Sequence, residues 1–371
     1  MTAKIKPILM PKWGLAMKEG SITSWLKNEG EILQKGEVFV EIETEKVVNE
    51  YESPDDGILL KKVLGEGEKV PVGTLIGVLS EEKISNEEVN NFIEEFQSNF
   101  IPIEVDEEIE NLEKIISIQN LSINYLNLSD NQDKTLLFIH GFGGDLNNWM
   151  FNQEELSSTY NTYSLDLPGH GKSSKNIDIY SLEYLTSIIK DFCISNKLKK
   201  VNLIGHSLGG GLCINLVKTN PDLVESLTLI SPIGLGKEID NYVEKFIFAS
   251  TRKELKPELE KLYFNTDLIT RDLLNEVLKF KRLDGVSKTL TKIMREVLFE
   301  KGEQKTSLRE LISNLNININ VIWGAEDKII PTEHCNDLPS SIKCYILENS
   351  GHMSHIEKSK EVNDIILKTI K

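Results

Sequence analysis

The chain has 371 residues and a formal net charge of −16 at pH 7, with 58 acidic against 42 basic side chains. Such a charge argues against a surface for nucleic acid or an anionic membrane, since both attract positive charge. The length allows two domains, and no stretch reaches the roughly 18 apolar residues of a membrane span or shows the pattern of a signal peptide. We therefore expect a cytoplasmic protein that binds neither nucleic acid nor membranes.

Cysteine and histidine spacing indicates neither a disulfide framework nor a metal site. The four cysteines are scattered along the chain, and the six histidines form no His-x-x-x-His pair. Structural zinc sites need closely spaced ligand pairs, and disulfide frameworks belong to short secreted chains. We expect no metal and reduced thiols at Cys193, Cys213, Cys335 and Cys344.

Residues 1–80 alternate short apolar runs with Gly, Pro and Asn turns, which predicts a small all-β domain. This segment contains an internal repeat: residues 29–36 (EGEILQKG) align without gaps with residues 66–73 (EGEKVPVG), and each copy continues into an apolar strand. Two similar halves predict a sandwich with quasi-two-fold symmetry.

Between the two copies, residues 38–51 read as strand, turn and strand, with Lys46 at the tip between Glu45 and Val47. The segment resembles the lipoyl domain of 2-oxo-acid and acetoin dehydrogenase complexes, whose modified lysine stands in a similar hairpin. Biotinyl domains share the scaffold but flank their lysine with methionines, which Glu45 and Val47 do not match. The resemblance implies a flattened β sandwich over residues 1–80 with lipoate on Lys46; the alternative is an ordinary exposed lysine.

Residues 81–118 are strongly acidic, and we predict that they form a linker. One short amphipathic helical pattern, NEEVNNFIEEF, lies within them, and Pro102 interrupts any continuous helix. Charge repulsion favours an extended segment.

From residue 119 to 371, apolar strand patterns alternate with helical ones, which predicts a mainly parallel sheet covered by helices. The predicted strands include residues 135–139, 162–167, 201–205, 226–230, 320–324 and 344–347. A long, charged helical segment follows the strand at 226–230, and we interpret residues 232–306 approximately as a cap. Extra helices of a plain core are the alternative.

The strand at 201–205 runs into Gly205-His206-Ser207-Leu208-Gly209, the Gly-x-Ser-x-Gly pattern of a nucleophile elbow. A serine hydroxyl needs a base, and the base needs a carboxylate to fix its tautomer. In this arrangement the acid and then the histidine follow the serine in the chain. Asp327 and His352 come after later strands, so we predict Ser207, Asp327 and His352 as the catalytic residues.

Rival residues stand beside both partners. Glu326 precedes Asp327, but Asp327 fits the Gly-x-x-Asp pattern better, and His355 lies three residues after His352 where the last helix should begin. His206 is the variable residue of the elbow, where packing or orientation is the more ordinary role. His140 is expected to hold the neighbouring loop, and Asp166 and His170 to be structural.

A glycine-rich loop, residues 140–144, follows the strand at 135–139. Such a loop supplies a backbone N–H to an oxyanion hole, here that of Phe142, and the residue after the nucleophile, Leu208, supplies the second. With these pieces in this order, residues 120–371 resemble the α/β-hydrolase family.

The combination of both parts resembles the dihydrolipoyl acetyltransferase components of acetoin dehydrogenase complexes. The resemblance implies transfer of an acetyl group from the dihydrolipoyl arm to coenzyme A within a multi-subunit complex. Its partners would be a thiamine-diphosphate-dependent acetoin dehydrogenase component and dihydrolipoyl dehydrogenase. The His-x-x-x-Asp-Gly motif of the usual acyltransferase domain is absent from this sequence. One alternative is a serine esterase or thioesterase with a lipoyl carrier domain, and another is a lipoyl arm on a catalytically inert scaffold. For the transferase itself, direct acyl transfer without an acyl-serine is a further alternative.

Overall fold

A computed structural model describes residues 5–11, 19–43, 48–100, 112–129 and 132–370. The chain divides into two compact units, Met1–Asn111 and Leu112–Lys371. Within the described ranges, no helix is long and apolar enough to cross a membrane.

The first unit contains two four-stranded sheets whose paired strands are all antiparallel, in the orders β1-β8-β6-β3 and β5-β4-β2-β7. Buried Ile8, Ile22, Phe39 and Leu59 belong to the core of this sandwich. The all-β prediction is confirmed. The strands are β1 (Ile5–Leu9), β2 (Glu19–Trp25), β3 (Ile32–Leu33), β4 (Val38–Glu43), β5 (Val48–Glu52), β6 (Gly57–Lys62), β7 (Lys69–Pro71) and β8 (Leu75–Ser80).

Equivalent turns of the sequence repeat make equivalent hydrogen bonds. The carboxylate of Glu29 accepts from the Lys62 N–H at 2.9 Å, and that of Glu66 accepts from the Trp25 N–H at 2.9 Å. The glycine after each glutamate has a positive φ, 91° at Gly30 and 84° at Gly67, which a residue without a Cβ adopts at little cost. The repeat therefore corresponds to two symmetry-related halves.

Helix α1 (Asn86–Asn99) lies inside the segment predicted as a linker. Ser85 and Glu88 form a capping box at its start, and Val89 belongs to an apolar cluster with Leu75 and Val78 of β8. Further apolar side chains at helical spacing, Phe92, Ile93 and Phe96, pack against the same cluster. The amphipathic pattern NEEVNNFIEEF is therefore a helix, but it packs on β8, so the linker interpretation of residues 81–118 is wrong over α1.

The second unit has an eight-stranded sheet in the order β18-β17-β14-β13-β11-β12-β10-β9, parallel except at the β9–β10 and β10–β12 pairs. Strand β9 was also assigned to the linker, because β9 and β10 alternate weakly in hydrophobicity. The mainly parallel sheet is as predicted. Its strands are β9 (Glu113–Ile118), β10 (Leu121–Asn127), β11 (Thr135–Ile139), β12 (Asn161–Leu165), β13 (Val201–His206), β14 (Val224–Ile230), β17 (Asn318–Gly324) and β18 (Lys343–Leu347).

The helices of the second unit form two groups: those that flank the sheet, and those of a separate layer between β14 and β17. The flanking helices are α2 (Met150–Ser157), α3 (Leu182–Ser195), α4 (Leu208–Thr219), α9 (Arg309–Ser313), α10 (Ser354–Glu357) and α11 (Ser359–Thr369). Between β14 and β17, a helical layer, which we call the cap, contains α5 (Tyr242–Phe248), α6 (Arg252–Leu259), α7 (Arg271–Lys281), α8 (Val286–Ile293) and the hairpin β15 (Phe299–Glu300) with β16 (Glu303–Gln304).

Candidate active site

Ser207 lies at the sharp turn between β13 and α4, with φ 51° and ψ −114°. A positive φ is strained for any residue with a Cβ, and such strain concentrates at functional sites. The flanking glycines make the turn possible: a Cβ on Gly205 would lie 2.8 Å from the Cys213 sulfur, and one on Gly209 would lie 2.2 Å from the Ile139 carbonyl oxygen. Close packing of the strand and helix therefore fixes the serine above the sheet.

His352 and Asp327 are hydrogen-bonded to each other. His352 Nδ1 lies 2.8 Å from Asp327 Oδ2, and both side chains are almost completely buried. Asp327 Oδ1 accepts from the N–H groups of Ile329 at 2.8 Å and Ile330 at 3.0 Å. The carboxylate is thus fixed on both oxygens, and Nδ1 of the imidazole is held as the donor, which leaves Nε2 as the basic nitrogen.

The charge balance favours an ionised Asp327. Burial alone would raise the pKa of this carboxyl group, but the charge and hydrogen bond of His352, with the N–H groups of Ile330 and Ile329, lower the pKa below its usual value. An ionised carboxylate can stabilise the imidazolium that forms when a histidine accepts a proton.

Glu326 and His355, the alternative candidates for the acid and the base, make other contacts. Glu326 Oε2 accepts from the Ser350 N–H at 2.9 Å and so ties the loop of Asp327 to that of His352. His355 is fully buried, and within the described residues neither of its ring nitrogens has a hydrogen-bond partner. Burial lowers the pKa of His355 to about 3. Neither side chain lines the cavity beside Ser207.

The proposed oxyanion donors lie on either side of Ser207. Leu208 is the first residue of α4, so its N–H has no carbonyl partner within the helix. The Phe142 N–H donates to no other described residue, and a Cβ on Gly141 would lie 3.2 Å from Ser207 Cβ, so the glycine-rich loop runs close to the serine. Within the part of the chain that the structure describes, neither N–H group has a backbone acceptor, as the predicted oxyanion role requires.

His140 holds this loop in place, as expected. The Leu167 N–H donates to His140 Nε2 at 2.9 Å, so Nδ1 carries the proton and donates to the Gly141 carbonyl at 2.7 Å. Asp166 accepts from the Leu146 N–H at 2.8 Å and from the Lys172 N–H at 2.7 Å. These buried polar residues support the site from beneath and do not reach the cavity.

His206 has a positioning role that the sequence pattern only suggested. Its Nε2 donates to the carbonyl of His352 at 3.0 Å, and the ring centroids of the two histidines are 4.7 Å apart. Burial, followed by the charges of His355 and His352, lowers the pKa of His206 well below its usual value. The residue before the nucleophile therefore holds the backbone of the candidate base as a neutral donor.

A cavity of about 90 Å³ lies beside Ser207 and His352. The cap supplies most of its wall. These residues were not predicted from the sequence, although the spacing of apolar residues in α5 is typical of a buried face. Which of these residues face the serine depends on how the cap folds back over the sheet. The wall includes Tyr242, Val243, Phe246, Leu259, Leu262, Tyr263, Leu273, Val277 and Leu298.

Lys46 lies outside the described residues, as do Glu45 and Val47. The strands on either side are described: β4 and β5 pair antiparallel, with Glu43 opposite Val48. Lys46 falls between β4 and β5 in the sequence, and the modification of this lysine remains a prediction.

The second unit has the α/β-hydrolase fold. A sequence model described as alpha/beta hydrolase fold matches residues 134–359, and one described as biotin-requiring enzyme matches residues 6–79. A meta-cleavage product hydrolase from Pseudomonas fluorescens superposes with a TM-score of 0.64 at 18% identity, over 70% of this chain and 98% of that chain. A putative lipase from Acinetobacter baumannii gives 0.62 at 25% identity, over 69% and 91%. Fold and site together define an α/β-hydrolase-fold protein with a biotin/lipoyl-type N-terminal domain.

Relatives that match along the whole chain are more specific. The dihydrolipoyllysine-residue acetyltransferase component of the acetoin cleaving system of Cupriavidus necator is 35% identical over 98% of this chain and 97% of its own length. The Pseudomonas putida component of the same name is 33% identical over 98% of both. The chain belongs to this family of acetyltransferase components, and the resemblance drawn from the sequence motifs is confirmed.

Proposed function

We propose that Ser207, His352 and Asp327 carry the acetyltransferase reaction of this protein, which moves an acetyl group from a dihydrolipoyl arm to coenzyme A. One observation carries the proposal: His352, which Asp327 fixes by a hydrogen bond, and the strained Ser207 border the same small cavity. The arm, attached to Lys46, supplies acetyl as a thioester with a long, mobile reach.

Ser207 Oγ attacks the thioester carbonyl while His352 Nε2 accepts the hydroxyl proton. The N–H groups of Phe142 and Leu208 stabilise the oxyanion, and Asp327 stabilises the imidazolium. His352 then donates the proton to the departing sulfur, which leaves acetyl on Ser207. In the second half, His352 removes the proton from the coenzyme A thiol, the thiol attacks the acetyl-serine, and Ser207 recovers its hydroxyl.

The test uses lipoylated protein and an S-acetyl-dihydrolipoyl donor, with and without coenzyme A, and quantifies both acetyl-coenzyme A and acetate. We expect acetyl-coenzyme A as the main product and a loss of several orders of magnitude in Ser207→Ala and His352→Ala, because members of a triad act as a unit. Acetate as the main product in the presence of coenzyme A would identify a thioesterase.

A serine-directed phosphonate tests the nucleophile without any acceptor. It should label Ser207, and Ser207→Ala is the matched control. An unlabelled Ser207, together with wild-type transfer by Ser207→Ala, would make the second unit a scaffold for the arm.

The proposed partners follow from the chemistry of the arm. After transfer, the arm holds two thiols, so a dithiol oxidoreductase, dihydrolipoyl dehydrogenase, must reoxidise it. A thiamine-diphosphate-dependent acetoin dehydrogenase component would load the next acetyl group. Two relatives are named as components of an acetoin cleaving system, which supports such a multi-enzyme complex. We place this complex in the cytoplasm.

A further inference from the structure

Phe246 of cap helix α5 packs against the glycine-rich loop of the candidate oxyanion hole. A Cβ on Gly143 would lie 2.9 Å from Phe246 Cε1, so this ring occupies the space that any side chain at position 143 would need. The ring centroids of Phe246 and Phe142 are 6.3 Å apart in an edge-to-face arrangement. Phe246 therefore closes the cavity on the side of the proposed oxyanion donors.

The position of the Phe246 ring is fixed from two further sides. The Tyr242 ring, one helical turn earlier in α5, lies 5.5 Å away, centroid to centroid. The Lys281 ammonium of α7 lies 4.9 Å from the Phe246 ring centroid and donates to the carbonyls of Phe246 and Ala249. Because these carbonyls belong to the C-terminal end of α5, Lys281 anchors the helix that carries the ring.

The space left beside Ser207 is small. Its volume of about 90 Å³ is well below the roughly 300–1,000 Å³ of pockets that enclose drug-sized ligands. An acetyl group has three non-hydrogen atoms, whereas a hexanoyl group has seven and extends four carbons further from Ser207. The walls that would meet such a chain are apolar side chains of the cap, among them Phe246, Leu273 and Val277.

We propose that Phe246 is a specificity-determining residue that limits the acyl group on Ser207 to short chains. The inference rests on the proposed function, because it assumes that acyl transfer passes through Ser207. The aromatic ring excludes longer chains sterically, and its anchoring by Lys281 prevents it from moving aside. Replacement of the ring by a smaller side chain extends the cavity towards α7.

The test compares p-nitrophenyl acetate, butyrate and hexanoate as acyl donors for the full chain. In the wild type we expect kcat/KM to fall by at least 100-fold from acetate to hexanoate, and in Phe246→Ala we expect this ratio to shrink by at least tenfold. The control is Phe248→Ala, which removes the same ring from the same helix at a position that is 64% exposed. It should keep the wild-type ratio.

Phosphonate labelling of Ser207 in each variant separates failure of this inference from failure of the proposed function. If Ser207 is labelled but Phe246→Ala keeps the wild-type ratio, or loses activity equally on all three esters, the specificity role is overturned and the nucleophile stands. If wild-type Ser207 is not labelled, both proposals fail. Phe246→Leu, which keeps an apolar side chain in α5, repeats the test should Phe246→Ala not fold, with a smaller shift in the same direction.

Discussion

The adjacent carboxylates of Glu326 and Asp327 have different roles, as their hydrogen bonds show. Asp327 contacts the candidate base, and Glu326 accepts from the backbone of Ser350 in the neighbouring loop. Asp327→Asn removes the charge that holds and balances His352, so we expect kcat to fall by roughly 10³–10⁴-fold. Glu326→Gln keeps an acceptor oxygen and should cost less than about tenfold. Steady-state kinetics on p-nitrophenyl acetate measure both, and equal losses would contradict the assignment of the acid.

His355 should make the protein less stable in acid. Its pKa is about 3 in the folded chain because the ring is buried, against about 6.5 in an unfolded chain. Between these values the unfolded chain binds a proton that the folded chain does not, so the free energy of unfolding falls by about 1.4 kcal/mol per pH unit as the pH decreases.

His355→Phe keeps a ring beside Trp149, whose centroid lies 4.5 Å away, and removes the titration. Between pH 7 and pH 4 we expect the free energy of unfolding to fall by about 3 kcal/mol more in the wild type than in this variant. The reason is that about 2.5 pH units separate pH 4 from the pKa of about 6.5 in the unfolded chain. Urea unfolding at both pH values checks this. Parallel losses in the two proteins would mean that His355 is not neutral when folded.

At the scale of elements, strand β9 decides where the second unit begins. The sequence pattern predicts a start at residue 119, but β9 pairs along β10 and buries Ile118, which is 3% exposed. A fragment of residues 112–371 should therefore be more stable than one of residues 119–371. Loss of this burial costs about 2–3 kcal/mol, or roughly 5–10 °C in Tm for a domain of this size. Identical melting temperatures would show that the sheet does not need β9.

The loops that carry the candidate catalytic residues were the most predictable part of the chain. The elbow at Ser207 and the loops of Asp327 and His352 follow strongly apolar strands, which made their order along the chain readable. The helical pattern of α1 was recognised, but its packing on β8 was not, because that contact depends on the tertiary fold. Strand β9 was missed because only its last residue is buried and it begins with two charged residues. The cavity wall was missed for another reason: the contact of Phe246 with the loop at Gly143 is long-range, and no periodicity within α5 indicates it.

At the scale of the whole molecule, the proposed arm and Ser207 belong to separate units of one chain. Covalent connection of two reacting groups raises their effective concentration to about the millimolar range. A specific protease site inserted between residues 100 and 112 tests this delivery. After cleavage, labelling of Ser207 and hydrolysis of small esters should persist, while lipoyl-dependent transfer at micromolar protein should fall at least tenfold and become concentration-dependent. The uncleaved insertion protein is the control, and unchanged transfer would contradict delivery within the chain.

The backbone conformation of Ser207 implies a conflict between the stability of the fold and the reactivity of the site. A positive φ of 51° at a residue with a Cβ costs about 1–3 kcal/mol, which glycine would largely recover. We expect Ser207→Gly to resist unfolding better than Ser207→Ala, by about 1 kcal/mol in urea, although both lack the hydroxyl. Equal unfolding free energies would show that the turn is unstrained. If the difference is found, selection for stability alone would favour glycine at position 207, and the serine is present because the reaction requires its hydroxyl.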